Sequence, residues 1–203
     1  MSTTPLIIQS PPIPPQGYHP VIHFPHSYQV RDFTQSNDPV QHEYSVGKYN
    51  EVRPFMYTTP LFGGVRNIHM GIDIGAPIHT PIYSFDDGVI YDFAYRGEAG
   101  DYGHVIIIEY INSQGPFWAL YGHLSTRSIQ GLSVGQKISK GDQFAWIGEH
   151  HENGGWPPHL HFQLSLIRPI HCDLPGVVSH KDHAQALKDY PDPQCVLGRL
   201  YPE

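Results

Sequence analysis

The sequence predicts an all-β protein with an irregular, Pro-rich amino-terminal arm and a short, partly helical carboxy-terminal tail. Three observations predict it. Twenty Gly and twenty Pro in 203 residues impose many turns and leave little room for long helices. Between Arg66 and Leu166 the chain runs in short segments rich in β-branched and aromatic residues, separated by Gly, Pro, Asp and Asn. Only one segment, near the carboxy terminus, carries a helical pattern.

Residues 1–55 form the arm, with "PPIPP" at 11–15 and few periodic segments. The aromatic and apolar content of "YHPVIHFPHSYQV" (18–30) predicts an arm that packs on the domain, where it could cap a site. Residues 56–170 form the β domain. Its expected strands lie in "HMGIDI" (69–74), "PIYSFDDGVIYDFAY" (81–95), "HVIIIEY" (104–110), "FWALYGHL" (117–124), "QKISKGDQFAWIG" (136–148) and "HLHFQLSL" (159–166). "DDG" (86–88) and "SKGD" (139–142) are turns. Residues 171–203 form an extension, with a helix over "SHKDHAQALKDY" (179–190) that Ser179 could cap, then an extended end, "PDPQCVLGRLYPE" (191–203).

Composition excludes some functions. The net charge is −7 and the 12 Lys and Arg are scattered, so no basic patch marks a nucleic-acid or anionic-membrane partner. The longest apolar runs, such as "VIII" at 105–108, fall far short of a membrane span. The first residues lack the basic and apolar regions of a signal peptide, which predicts a cytoplasmic protein whose export would need an unconventional route. Cys172 and Cys195 are too few for a disulfide framework or a Cys-based zinc site; one bridge and two thiols are equally consistent. Fifteen His, by contrast, raise the expectation of a metal site.

Three clusters carry that chemistry. His159 and His161 stand two apart in a strand, so both project from one face, behind Pro157 and Pro158, which can fix the strand's start. His69 and Asp73 are four apart, about 13 Å in an extended strand, so they share an ion only if the chain bends; Gly71 permits a bend. His123 ends an aromatic strand. Taken singly, each cluster also reads as surface or half-buried histidine. Together, two histidines and a carboxylate leave an open position on Zn²⁺ for water, with two further histidines beside it.

"HMGID", "YGHLS" and "PPHLHFQL", in this order and spacing, resemble the lysostaphin-type zinc metalloendopeptidases, whose signatures are His-x-x-x-Asp and His-x-His. The similarity covers residues 62–166 and includes "APIHTPIYSFDDGVIYDF" and "VGQKISKGDQFAWIG". It implies a compact antiparallel β domain with a groove over one sheet. It implies one Zn²⁺ on His69, Asp73 and His161, with His123 and His159 as acid/base and transition-state-stabilising residues. The implied substrate is a cross-link or stem peptide of bacterial peptidoglycan, often cut at a glycine. The chain departs from that pattern in having no recognisable wall-binding module, His79 where Gly is common, His104 where a small polar residue is usual, and Gln163 in place of a carboxylate. His79 and His104 read as structural or surface residues. In the loop "EHHENGGWPP" (149–158), His150, His151 and Trp156 are expected to line the groove, although Trp156 could equally anchor packing.

Two other readings stay open. A non-haem iron oxygenase also uses two histidines and a carboxylate, but usually as His-x-carboxylate, and the three-residue gap here argues against it. A binding or regulatory module could keep the ligands without turnover, for example if residues 1–55 block the groove.

Overall fold

The structure, a computed structural model, describes residues 5–35 and 41–202. The arm supplies β1 (Leu6–Ile8), β2 (Tyr28–Val30), β3 (Ser45–Gly47) and β4 (Glu51–Val52). Then come β5 (Arg66–His69), β6 (Ile72–Gly75), β7 (Pro81–Tyr83), β8 (Gly88–Arg96), β9 (Gly103–Asn112) and β10 (Gly115–Leu124). The last strands are β11 (Lys137–Ile138), β12 (Gln143–Trp146), β13 (His159–Ser165) and β14 (Val177–Ser179), followed by helices α1 (His183–Asp189) and α2 (Gln194–Leu197). The protein is all-β in class, as its composition predicts.

Nine strands form the main sheet in the order β1-β2-β3-β6-β13-β10-β9-β8-β11, antiparallel except for β2 against β3. A three-stranded sheet, β14-β5-β4, and a ribbon, β12-β7, flank it. The arm's first three strands therefore extend the edge of the main sheet beyond β6.

Alternation explains which side of the sheet does what. The run Val105-Ile106-Ile107-Ile108 is fully buried because both faces of β9 are covered. Ile106 and Ile108 join a core with Ile72, Ile74, Leu160 and Phe162. Val105 and Ile107 face a second core with Ile68, Met70, Trp118 and Leu174. On β13 the first core takes Leu160, Phe162 and Leu164, which turns His159, His161 and Gln163 to the opposite face. Asp73, between Ile72 and Ile74 on β6, turns the same way.

Two details of the tail differ from the sequence reading. Ser179 does not cap α1; Asp182 occupies that position, and Ser179 Oγ donates to Asp182 Oδ2 at 2.7 Å. Residues 191–203 are not extended throughout, since α2 folds back to bury Val196 and Leu197 in the first core. Both cysteines are thiols, Cys172 buried and Cys195 exposed.

Candidate metal centre and its cleft

β5 and β6 belong to different sheets, and the chain turns through Met70 and Gly71 between them. That break brings Asp73 Oδ1 to 3.1 Å from His69 Nε2. Gly71 has no positive φ, so conformational freedom is not what the position needs. It needs space: a Cβ there would meet His161 Cε1 at 2.5 Å and the Phe162 carbonyl oxygen at 2.9 Å. Across the sheet, β13 sets His161 opposite Asp73, with Nδ1 3.0 Å from Oδ1. His69 Nε2 and His161 Nδ1 are 3.1 Å apart.

Hydrogen bonds elsewhere on each ring fix what this triangle presents. His69 Nδ1 donates to the Lys48 carbonyl at 2.9 Å, which leaves the Nε2 lone pair facing inward. Gln163 Nε2 donates to the Pro175 carbonyl, so Gln163 Oε1 accepts from His161 Nε2 at 3.1 Å and leaves the Nδ1 lone pair facing inward. Two imidazole lone pairs and one carboxylate oxygen thus converge with no donor between them. Such a cluster calls for a cation, and two histidines with one carboxylate form the three-ligand set of catalytic zinc. The residues fit the metal.

Charge supports the same assignment. Burial alone would raise the Asp73 carboxyl, but the facing His69 ring and the Arg53 guanidinium outweigh it and hold it well below the usual range. Burial, reinforced by Arg53, lowers His69 to about 4, which keeps the ring neutral and able to ligate.

The other two histidines flank the triangle. β10 slips register against β9 between Tyr121 and Leu124, and His123 sits in this irregularity at φ +65°, a strained conformation for a side chain of its size. Its backbone is held by Tyr102 and Gly148, and its Nδ1 donates to the Asn153 carbonyl at 2.8 Å. His159 Nδ1 donates to the Pro157 carbonyl at 2.7 Å, so the proline pair orients the ring as well as the strand. Each ring therefore offers Nε2 to the cleft, and the rings lie 4.2 Å apart. His159 Nε2 is 3.7 Å from Asp73 Oδ1. Burial is the main cause lowering both rings below the ordinary histidine range.

These groups sit in a cleft of about 890 Å³. The arm contributes Arg31 and Phe33 to its walls, the 149–158 loop contributes Trp156, and the segment after β13 contributes Ile170 and Asp173. Trp156 stacks edge-on to His123, whereas His150 and His151 do not line the cleft, contrary to the sequence reading. Asn153, fully buried, binds the Trp156 backbone through both ends of its amide and so turns that part of the loop inward, whereas His151 is exposed, with Nδ1 3.5 Å from Glu149 Oε2. His104 stacks on Tyr95 and bonds Thr126, outside the cleft. His79 adopts φ +64°, the region where glycine costs least.

Residues 67–171 match the sequence profile of Peptidase family M23. The chain belongs to that family. Peptidases of family M23 are zinc-dependent, which agrees with the donor set of His69, Asp73 and His161. This M23 chain is 31% identical over 153 residues to the DD-carboxypeptidase/endopeptidase Mpg of Neisseria meningitidis serogroup B, covering 72% of this chain and 33% of that protein. It is 33% identical over 137 residues to the peptidoglycan DD-endopeptidase ShyA of Vibrio cholerae, covering 64% of this chain and 29% of that protein. The chain thus spans about a third of the length of the curated relatives it matches. Against the catalytic domain of lysostaphin from Staphylococcus simulans the TM-score is 0.47 at 23% identity, over 74% of this chain and 90% of that one. Membership of M23 removes the iron oxygenase from consideration.

The residues that sequence reasoning missed come from the arm and from second partners. Arg53 donates to Asp73 Oδ2 at 2.6 Å, and Lys48 supplies the carbonyl that orients His69. Tyr102 packs against both His123 and His161. The one signal available for Arg53 was the Glu51-x-Arg53 spacing, which places two opposite charges on one face of a strand.

Proposed function

We propose that the chain hydrolyses peptide bonds in peptidoglycan-type cross-links or stem peptides as a zinc-dependent M23 endopeptidase. His69, Asp73 and His161 would hold the metal, and His123 and His159 would move protons and steady the transition state. The observation that carries this reading is the pair of oriented Nε2 atoms on His123 and His159 beside three converging lone-pair ligand atoms of His69, Asp73 and His161. Zinc held there would supply Lewis acidity at the scissile carbonyl and bring the attacking water's pKa to about 7.

The chain's own groups do the rest. One Nε2 lone pair accepts the water proton, and the imidazolium so formed steadies the developing oxyanion before it returns the proton to the leaving amine. The neighbouring neutral ring accepts a hydrogen bond at its own Nε2 and so orients the attacking water. Burial keeps both rings in the neutral form that can accept a proton near neutrality. The Asn153 and Pro157 carbonyls hold the required tautomers. The walls of the cleft would seat an extended peptide along β6 and β13. The two relatives named for DD-peptidase or endopeptidase activity support a peptidoglycan-type substrate.

Elemental analysis of the purified chain tests the metal, and amine release from cross-linked peptidoglycan fragments tests the reaction. About one zinc per chain, lost in His69→Ala and His161→Ala, with amine release lost in His123→Ala and His159→Ala, is expected. A zinc-loaded chain that releases no amine from such fragments or from glycine-containing peptides would return the silent binding module to the front.

A further inference from the structure

Arg53 is among the largest fully buried side chains, 1% exposed, and it lies outside residues 67–171 that match the family profile. A buried guanidinium is costly unless its donors are met. Here four of its five N–H donors meet oxygens: Asp73 Oδ2 at 2.6 Å, Glu51 Oε2 at 3.0 Å, the Tyr57 hydroxyl at 3.1 Å and the Lys48 carbonyl at 3.2 Å. The same Lys48 carbonyl accepts from His69 Nδ1. Glu51 lies opposite His69 in the β4–β5 pairing, and Asn50 N donates to the His69 carbonyl. One short segment, 48–53, therefore holds two of the three metal-facing residues.

The two oxygens of Asp73 are divided between these neighbours. Oδ2 is taken by the guanidinium, while Oδ1 faces His69 Nε2 and His161 Nδ1. A carboxylate held this way can rotate neither to offer both oxygens nor to swing toward solvent. Gly47, paired with Asp73 in the β3–β6 ladder, leaves the room this needs: a Cβ there would come 2.8 Å from Arg53 Nη2 and 3.3 Å from Asp73 Cβ. Glu51 offsets the added positive charge, so the guanidinium can serve Asp73 without leaving a net cation against the metal.

We propose that Arg53, clamped by Glu51, is the positioning residue that fixes Asp73 as a single-oxygen ligand, making the 48–53 segment a working part of the metal centre. This rests on the metal assignment made above for His69, Asp73 and His161. Residues that orient a metal ligand typically change metal affinity 10–100-fold when removed.

The test measures zinc dissociation constants by chelator competition, the visible spectrum of the cobalt-substituted chain, and the Tm of the metal-free chain, for wild type, Arg53→Met, Arg53→Lys and Glu51→Gln. Arg53→Met is expected to weaken zinc about 10–100-fold and to alter the cobalt spectrum as Asp73 rotates. Arg53→Lys, which keeps one charged donor, is expected to recover part of the loss. Should Arg53→Met fail to fold, Glu51→Gln carries the test, with a severalfold loss of zinc affinity expected. Wild-type zinc affinity and an unchanged cobalt spectrum in the folded variants, whatever their metal-free Tm, would reduce Arg53 to a fold-stabilising residue and overturn the proposal. A wild-type chain that binds no zinc would instead overturn the metal assignment itself.

Discussion

Gln163 Oε1 stands 3.1 Å from His161 Nε2, two residues along the same strand and on the same face. The sequence places Gln163 where a carboxylate is usual, a departure expected to change the contact behind the metal-facing histidine. The geometry shows an acceptor kept, and a donor gained that ties the strand to the Pro175 carbonyl. Gln163→Leu removes the acceptor and frees His161 to take the other tautomer, with Nδ1 protonated and unable to ligate. Zinc affinity is expected to fall about 10–100-fold, measured by chelator competition. Gln163→Glu keeps the acceptor and is expected to bind zinc close to wild type; equal loss in both variants would refute the tautomer argument.

His123 and His159 orient through carbonyls rather than through the metal. Replacing either by Ala is therefore expected to lower kcat by about 10²–10⁴ while leaving zinc stoichiometry at one. A double variant is expected to lose far less than the product of the two, since both act on one transition state. Loss of zinc in either single variant would assign that histidine to the metal instead.

The carboxylate of Glu152 links the 149–158 loop to the segment after His123. Burial raises its pKa, but the Thr126 hydroxyl, the Thr126 N–H and the Glu149 N–H together lower it to about 2 from an ordinary 4.5. A depressed acid stabilises the fold fully above its unfolded value and loses that contribution as pH falls through the folded value. Glu152→Gln is expected to cost about 1–3 kcal/mol at pH 7. The gap between the two proteins, followed by thermal melts, should narrow below pH 4.5 and close near pH 2. A gap that stays constant across this range would place its origin in shape rather than charge.

Much of the fold is legible because it rests on local pattern. Alternation in "HLHFQLSL" and "VIIIEY" places histidines on one face and aliphatics on both cores, and that survives folding unchanged. The His69–Asp73 pair is legible only as a condition, since it needs a bend that spacing cannot supply. The break comes from β5 and β6 joining different sheets. Arg53 is illegible for a related reason: its partners come from β4 and β6, brought together by the β3–β6 pairing, and no spacing rule connects positions 53 and 73. The loop histidines 150 and 151 mislead because composition alone does not reveal that Asn153 turns the chain.

Gly71 gives the sharpest steric test of the centre. Its φ is one that any residue adopts, so an alanine there adds no backbone strain and even lowers the entropy of the unfolded chain. Its Cβ would nevertheless meet two atoms of the His161 ring, at 2.5 and 2.7 Å, and the Phe162 carbonyl oxygen at 2.9 Å. The ring can move only by breaking its bond to Gln163 or by leaving the triangle, and the carbonyl belongs to the β6–β13 ladder. Overpacking of this kind costs about 1–3 kcal/mol. Gly71→Ala is therefore expected to fold with a lowered Tm and to bind zinc at least as weakly as Gln163→Leu. Zinc affinity is the deciding measurement: an unchanged value would mean that β13 shifts as a body and carries His161 with it, and that the triangle is less rigid than its hydrogen bonds imply.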